Sequence, residues 1–336
     1  MIYTMQNNKR YPAEFEEQSY IQILFPHKQS DWAAYLEEAE ATFVAIIEAI
    51  RRFEACVIVC DDILHVKSFF SSYDKLHFIQ YQTNDTWARD SSCISVLENG
   101  VIKLLDFTFD GWGGKFEATK DNAMNRAICE CESVDFVLEG GAIESNGKGI
   151  LLTTAQCLKN SNRNPHRDID KILQKYLHVK EIVYLNHGYL AGDDTDSHID
   201  TLARFISTDT IMHLTCKDKE DEHFQALQAM QKELQKTPFK LIALPMTEPI
   251  YFEGERLPAT YANFLMINKA VLVPIYNDKH DDEAIEIFTK SFPDREIIPI
   301  DCSVLIRQHG SLHCITMQFY SAFRNSSISE AGSGRL

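Results

Sequence analysis

One order of elements, a β-hairpin followed by a helix and a single strand, recurs about five times in this chain of 336 residues. This repeat limits the possible folds more than any other feature. Residues 32–53 place apolar side chains at helical spacing, and the apolar run 55–60 follows as a buried strand. Residues 93–107 alternate as two strands around Asn99-Gly100, a dipeptide typical of tight hairpin turns. The other predicted hairpins are 142–154, 203–216 and 261–276, the other helices 118–132, 167–177, 221–236 and 281–292, and the other strands 135–140, 181–185, 240–246 and 296–301. Helices and strands that alternate in this way predict a mixed α/β fold.

The two ends of the chain extend this repeat. Residues 314–320 form a predicted strand that can pair with residues 21–26, which would close the ends on each other. Cyclic repeats of this size favour radial closure into a propeller. An open α/β sheet remains the alternative, because helices alternate with strands in both architectures. No linker rich in Pro, Gly or Ser interrupts the repeats, so we predict a single domain at 11–322 and a disordered tail at 323–336.

The acidic composition restricts the possible partners. The chain has 33 basic and 49 acidic residues, a net charge of −16. Such a surface repels nucleic acid and anionic membranes and attracts small cations, although the charge could also serve solubility alone. No apolar run is long enough to span a membrane, and the first residues lack the apolar core of a signal peptide. We therefore expect a cytoplasmic protein that binds neither nucleic acid nor membranes.

The cysteines and the absent motifs exclude several chemistries. Nine cysteines occur at irregular spacing, which indicates reduced thiols and not a disulfide framework. Cys129 and Cys131 offer two metal ligands at best, and no second pair follows at usable spacing, so we predict no metal site. The phosphate-binding patterns GxGxxG and GxxxxGK[ST] are both absent. The sequence therefore supports no cofactor.

Polar segments at predicted strand ends carry the candidate chemistry. His198 and Asp200 alternate by two, which places an imidazole and a carboxylate on one face of an extended segment. They could move a proton and accept a cation, or they could belong to a solvated acidic loop. Cys314 follows a glycine-containing turn, as a nucleophile that meets a distant histidine in the fold would. The alternative for Cys314 is a buried structural thiol.

Two further segments fit the binding of a planar cation. Trp87 and Asp90 flank Arg89, so an aromatic face and a carboxylate are available for stacking and for paired hydrogen bonds. The alternative is an ordinary ion pair between Arg89 and the aspartate, with Trp87 as packing. Glu139 ends a predicted strand before two glycines that allow close backbone approach, or that simply form a turn.

Taken together, these segments resemble the agmatine deiminase branch of the guanidino-group-modifying enzymes. The similar segments, in colinear order over residues 11–320, are PAEFEEQSYIQILFPHKQSDWAAYLEE, TNDTWARD, DFTFDGWGGKF, FVLEGGAIESNGKGILLTTAQCLKNSNRNP, DDTDSHIDTLARF, RLPATYANFLMIN and GSLHCITMQ. A set of motifs in order is far more specific than any one of them. The chain departs from the family pattern where His309, Gly310, Ser311 and Leu312 replace a glycine-rich stretch.

The resemblance implies the pentein fold, which is a five-bladed α/β propeller of ββαβ-type repeats, and a hydrolase that acts on a small cationic guanidino substrate. It implies roles for seven residues: Cys314 as nucleophile, His198 as general acid and base, Glu139 beside the histidine, Asp90 and Asp200 as guanidinium carboxylates, and Trp87 and Trp112 as aromatic groups around the pocket.

For agmatine, the resemblance implies formation of N-carbamoylputrescine and ammonia through a covalent thiouronium on the cysteine. A deiminase of arginine or peptidylarginine is an alternative within the same chemistry. A non-catalytic guanidinium or polyamine-binding protein on the same fold is an alternative outside it. Relatives with this fold often form dimers, so a homodimer is implied by the resemblance alone.

Overall fold

The structure, a computed structural model, describes residues 9–320. The strands are β1 (Lys9–Arg10), β2 (Tyr20–Leu24), β3 (Ala55–Cys60), β4 (Leu76–Gln80), β5 (Ile94–Glu98), β6 (Val101–Thr108), β7 (Glu132–Val137), β8 (Ile143–Ser145), β9 (Ile150–Thr154), β10 (Glu181–Leu185), β11 (Ala203–Ser207), β12 (Thr210–Leu214), β13 (Lys240–Leu244), β14 (Tyr251–Phe252), β15 (Glu255–Arg256), β16 (Leu265–Ile267), β17 (Ala270–Ile275), β18 (Glu296–Asp301) and β19 (Thr316–Phe319). The α-helices are α1 (Leu36–Arg51), α2 (Ile63–Lys67), α3 (Ala88–Ser91), α4 (Gly111–Gly114), α5 (Thr119–Ile128), α6 (Ala155–Leu158), α7 (Ile169–Leu177), α8 (Phe224–Leu234) and α9 (Asp281–Ser291). Short 3₁₀ helices span Asp31–Tyr35, Gly140–Ala142, Ile199–Thr201 and Leu305–Gln308.

Four of the repeated units share one sheet pattern, an antiparallel hairpin extended by one parallel strand. The strand triplets are β5-β6-β7, β8-β9-β10, β11-β12-β13 and β16-β17-β18. In each triplet the first two strands are antiparallel, and the third pairs parallel to the second after a helical crossover through α5, α7, α8 or α9. A parallel pair needs such a crossover, which explains why a helix precedes every third strand. The predicted mixed α/β fold is confirmed.

The fifth unit joins the two ends of the chain. Strand β19 runs antiparallel to β2, with Phe319 opposite Tyr20, and β2 pairs parallel to β3. The rings of Tyr20 and Phe319 stack 4.6 Å apart and nearly parallel. The predicted pairing of residues 314–320 with 21–26 is therefore confirmed. The predicted tail, residues 323–336, lies outside the described residues.

Some elements differ from the sequence prediction. Helix α5 ends at Ile128 and not at residue 132, because Cys129 already has an extended backbone with φ −147° and ψ 164°. Strand β7 consequently begins at Glu132, three residues before the predicted start. Strand β4 was missed, because it adds to the edge of its sheet beside β3 and is only partly buried. Among residues 9–320, no helix has the length and apolar character that crossing a bilayer requires.

Candidate active site

The loop that precedes the first hairpin strand of each unit carries a functional side chain. Asp90 lies in α3, immediately before β5, and Glu139 precedes the 3₁₀ helix that leads into β8. His198 and Asp200 lie at and within the 3₁₀ helix before β11, and Cys314 lies before β19. These short segments contact one another. The repeat therefore brings together side chains that are far apart in sequence.

These loops surround a cavity of about 190 Å³. Five of the predicted site residues line it: Trp87, Asp90, Trp112, His198 and Cys314. Asp200 and Glu139, the remaining two, are fully buried and contact the lining residues from behind. All seven predicted site residues thus lie at one place.

The two aspartates are held in different ways. Asp90 accepts hydrogen bonds from the Gly141 backbone N–H at 3.0 Å and from Trp112 Nε1 at 2.9 Å. Burial raises the pKa of Asp90 to about 6. For Asp200, burial acts in the same direction, but the hydrogen bond from His313 Nδ1 at 2.7 Å and its charge outweigh burial and lower the pKa. Asp200 Oδ1 is buried and has no hydrogen-bond partner among the described residues, so it can accept one from a ligand.

His198 lies between two carboxylates. Its Nδ1 is 3.6 Å from Asp90 Oδ1, and its Nε2 is 3.8 Å from Glu139 Oε2. Burial alone would lower the pKa of His198, but the charge of Asp90, the adjacent Cys157 and Glu139 together raise it well above the ordinary value. Arg163 Nε lies 2.8 and 3.0 Å from the two oxygens of Glu139 and fixes that carboxylate. These neighbours therefore favour the protonated imidazole.

The thiol of Cys314 lies in negative surroundings. Its Sγ is 3.4 Å from Asn263 Oδ1 and 3.9 Å from Asp200 Oδ2. Burial and the charges of Asp200 and Asp90 raise the pKa of Cys314 well above that of a free thiol. The sulfur is therefore a neutral thiol until a cation enters the site and offsets the carboxylates.

The pH dependence of thiol alkylation tests this electrostatic arrangement. Because only the thiolate reacts, we expect the alkylation of Cys314 by a neutral reagent to have its midpoint above the value of about 8.5 for a free cysteine. Cys131 is an internal reference, because its hydrogen bond with Cys93 lowers its pKa. Peptide mass spectrometry across a pH series reports both sites in one digest. A Cys314 midpoint at or below that of Cys131 would contradict the predicted order.

Three residues near the site were not singled out in the sequence. Asn263 Oδ1 accepts hydrogen bonds from the His313 and Cys314 backbone N–H groups at 2.8 and 3.3 Å, and so fixes the turn that carries the thiol. Its loop precedes β16, the first strand of its unit, just as the loops with Asp90, Glu139 and His198 precede the first strands of theirs. This equivalent position could have indicated Asn263 from the sequence. His313 joins Asp200 to Glu14, whose Oε2 lies 2.6 Å from His313 Nε2. His313, the residue before Cys314, therefore fixes the orientation of the Asp200 carboxylate.

The aromatic walls have defined partners. Trp87 donates its Nε1 hydrogen to Asp85 at 3.0 Å and packs against Gly310, where an added Cβ would lie 2.1 Å from the indole ring.

Arg89, in contrast, pairs with the buried Glu14 at 3.5 Å. Among residues 9–320, Arg89 forms its ion pair with this glutamate and not with an aspartate, so the alternative of an ordinary pair between Arg89 and an aspartate is wrong.

Gly141 leaves room for the charged groups of the site. A Cβ at this position would lie 2.6 Å from His198 Nδ1, 2.8 Å from Asp90 Oδ1 and 3.2 Å from Asp200 Oδ2. We expect Gly141→Ala to lower kcat/KM by at least about 100-fold, because displacing catalytic groups by about 1 Å has that effect. Gly100→Ala is the control, since no atom lies within 4 Å of its added Cβ and Gly100 does not line the cavity; the strain of its positive φ of 84° acts on stability, which a melting temperature reports separately from kcat/KM. Equal kcat/KM in the two variants would show that the site tolerates the methyl group.

Negatively charged side chains predominate around the cavity. Besides Asp90, the lining includes four carboxylates: Asp31, Asp85, Asp193 and Asp194. Burial raises the pKa of Asp85 to about 6 and also raises that of Asp193. Among the described residues that line the cavity there is no Arg and no Lys. The site thus suits a cation and offers no strongly basic partner to a ligand carboxylate.

Comparison with known families agrees with this geometry. A sequence model of the Porphyromonas-type peptidyl-arginine deiminases matches residues 10–319. The chain belongs to this family. The family description by itself leaves the substrate of this deiminase open.

Two relatives of this chain are similar to it over nearly their whole length, and a third shares part of its length. A solved C. jejuni agmatine deiminase, a cysteine-to-serine variant with substrate bound, has 41% identity and a TM-score of 0.92, covering 96% of this chain and 100% of that one. The agmatine deiminase of Pseudomonas aeruginosa (strain LESB58) is 30% identical, covering 92% of this chain and 95% of that protein. A cyanobacterial arginine dihydrolase, with 10% identity, a TM-score of 0.51 and coverage of 93% and 40%, shares the fold alone.

Proposed function

We propose that the chain is an agmatine deiminase, which hydrolyses agmatine to N-carbamoylputrescine and ammonia. One observation carries the proposal: a thiol, an imidazole and two aspartates meet at a cavity whose lining includes further carboxylates but neither Arg nor Lys. Agmatine is a dication with a guanidinium at one end and an ammonium at the other. Arginine differs by an α-carboxylate, which the five lining aspartates would repel and with which no Arg or Lys among the described lining residues would pair.

The guanidinium is bound by the two aspartates in this proposal. Asp90 and Asp200 each accept N–H bonds from the planar cation, and the unpartnered Asp200 Oδ1 supplies one of the acceptors. Trp87 and Trp112 line the pocket around the group and leave one face of its carbon open to Cys314. Because the bound cation offsets both carboxylates, it lowers the pKa of the Cys314 thiol and favours the thiolate.

In the first half of the reaction, the thiolate of Cys314 attacks the guanidinium carbon and a C–S bond forms. His198 donates its proton to one of the terminal nitrogens, the C–N bond breaks, and ammonia leaves. An S-alkylthiouronium remains on the cysteine. Glu139 supports this step, because its charge favours the protonated imidazole before the transfer.

In the second half, the neutral His198 accepts a proton from water and the hydroxide adds to the same carbon. The C–S bond breaks and the electron pair returns to Cys314 as thiolate. The remaining proton on the product leaves to solvent, and the ureido group is complete. The thiouronium is thus consumed by water, and the thiolate and imidazolium are restored. When the product leaves, the thiolate takes up a proton from solvent, which replaces the proton that the thiol released to solvent when the substrate bound.

We also propose that the five units close into one five-bladed propeller. The antiparallel pairing of β19 with β2 and the five equivalent loops around one cavity support this closure. The single domain at 11–322, a homodimer, a cytoplasmic location and the absence of nucleic acid and membrane partners remain predictions.

A substrate panel tests the proposed activity. Ammonia release is measured with agmatine, arginine and an N-acylated arginine amide that imitates peptidylarginine. We expect kcat/KM for agmatine to exceed that for arginine by at least about 100-fold, since like charges brought together cost several kcal/mol. Higher activity with arginine or with the amide would mean that arginine or peptidylarginine, and not agmatine, is the substrate. Agmatine binding without ammonia release would favour a non-catalytic guanidinium-binding protein.

The contribution of the acidic lining is tested separately. Asp194→Asn removes one lining charge and should lower kcat/KM for agmatine more than for the amide, which has no ammonium group. Asp135→Asn is the matched control, because the Asp135 side chain is 92% exposed and pairs only with the surface residue Arg167. An equal loss for both substrates in Asp194→Asn would mean that this carboxylate does not select the amine.

A further inference from the structure

A cluster of three thiols lies outside the candidate active site. Cys93 immediately precedes β5, Cys129 follows α5, and Cys131 immediately precedes β7. The first residues of β5 and β7 both pair with Leu105 of the strand between them, so the starts of β5 and β7 lie at the same level of the sheet. Cys129 and Cys131 are close in sequence, and the sheet register places Cys93 beside them as a third thiol.

The sulfur atoms have the spacing of a metal site. All three Sγ atoms lie within 4.8 Å of one another, and those of Cys93 and Cys129 are 3.9 Å apart. Ligands on a tetrahedral ion with bonds of about 2.3 Å are about 3.8 Å apart. A disulfide would require the sulfurs to approach to about 2.05 Å. The observed arrangement thus suits three ligands around one ion better than a covalent pair.

The cluster is accessible from one side. Cys93 is buried, whereas Cys129 and Cys131 are partly exposed. An ion can therefore reach the sulfur atoms, and the thiol protons can leave as the thiolates bind it.

We propose that Cys93, Cys129 and Cys131 form a binding site for one thiophilic metal ion of the d¹⁰ class, Zn²⁺ or Cu⁺. Soft thiolate ligands select these ions. Three thiolates complete a trigonal Cu⁺ site, and Zn²⁺ takes a fourth ligand from solvent at the exposed side. The displaced thiol protons pass to solvent.

The site would link two segments that support the candidate active site. Cys129 follows the helix that contains Asn125, whose Nδ2 donates a hydrogen bond to the Ser91 backbone oxygen at 2.8 Å. Ser91 lies in α3 beside Asp90, and Cys93 follows two residues later. A shared ion thus joins the end of α5 to the start of β5 and stabilises this unit.

Metal binding by the full reduced chain tests the proposal. After chelator treatment, the protein is titrated with Zn²⁺ and, in a separate anaerobic arm, with Cu⁺, and bound metal is counted by elemental mass spectrometry. Co²⁺ in place of Zn²⁺ reports thiolate ligation through its charge-transfer absorption. We expect one ion per chain and a higher melting temperature on binding. The arm with the tighter binding identifies the ion.

Matched variants locate the bound ion. We expect Cys129→Ser and Cys131→Ser each to weaken binding more than about 100-fold, because even outer partners of metal ligands contribute about 10- to 100-fold. Cys216→Ser, at a partly exposed thiol elsewhere, and Cys157→Ser, beside Glu139 and His198, should bind like the wild type. Unchanged melting temperatures of the metal-free serine variants show that they fold.

Three results would overturn the proposal. The first is the absence of metal uptake by the reduced wild type. The second is loss of the ion in Cys157→Ser with retention in Cys131→Ser, which would place the ion at the catalytic histidine. The third is a Cys93–Cys129 disulfide in air-exposed protein together with no uptake after reduction, which would make the cluster a redox pair.

Discussion

Replacing Cys314 by alanine is expected to lower kcat for ammonia release from agmatine by at least about 10,000-fold, since removal of a catalytic nucleophile has effects of this size. Agmatine binding should persist, because the carboxylates of Asp90 and Asp200 remain and the residue removed is uncharged in the free site. Single-turnover assays measure the rate, and calorimetric titration measures the binding. With wild-type protein, rapid quenching and mass spectrometry should detect the thiouronium on the peptide that contains Cys314.

A matched thiol makes this experiment specific. Cys60→Ala removes a buried cysteine from β3, away from the cavity, and should retain wild-type activity. Residual ammonia release by Cys314→Ala within 10-fold of the wild type would mean that water attacks the guanidinium without a covalent intermediate. An adduct on Cys157, the other buried thiol near His198, would mean that Cys157 and not Cys314 is the nucleophile.

Replacing Arg204 by methionine is expected to lower the free energy of unfolding by about 3–5 kcal/mol, the cost of leaving buried charges without their partner. The Arg204 side chain is fully buried, and its nitrogens lie 2.7 Å from Glu14 Oε2 and 2.9 Å from Glu144 Oε2. Methionine retains much of the volume but leaves Glu144 without its ion-pair partner and, among the described residues, leaves Glu14 with Arg89 and His313 alone. Equilibrium urea unfolding at neutral pH measures the loss.

The pH dependence of this loss has a definite sign. Burial already raises the pKa of Glu144 to about 7, and the loss of Arg204 raises it further and raises that of Glu14. The destabilisation therefore grows as the pH rises through neutral and shrinks as the pH falls and the carboxyls become protonated. Arg167→Met is the control, because Arg167 forms an exposed pair with Asp135 that contributes at most about 1 kcal/mol. Equal losses in the two variants would contradict the importance of the buried network.

Much of the fold was accessible from local patterns in the sequence. The hairpin turn at Asn99-Gly100, the strand 181–185 and the strand 296–301 were predicted with the observed bounds or nearly so. The alternation of apolar and polar residues and the residues of tight turns are local features of the sequence, so they can be recognised without knowing the tertiary structure. Strand β4 was not accessible in this way, because it lies half-exposed at an edge and forms by pairing with β3.

The site shows the same division. The motif segments located Cys314, His198, Glu139 and the two aspartates, since each lies directly before a recognisable strand. Asn263 satisfies the same positional rule, and counting units would have found it. The hydrogen bonds that His313 makes to Glu14 and Asp200 had no signal, because they join residues about 300 and 110 positions apart.

Local periodicity and short motifs were enough to predict the succession of hairpins, helices and strands, the family, and the candidate site residues. Which side chains meet could be read from the three-dimensional structure alone: Asp200 with His313, Arg204 with two glutamates, and Cys93 with Cys129 and Cys131. Such contacts are set by strand register and by the packing of one unit against the next. A pKa or a ligand set follows from these distances, and no local pattern records them.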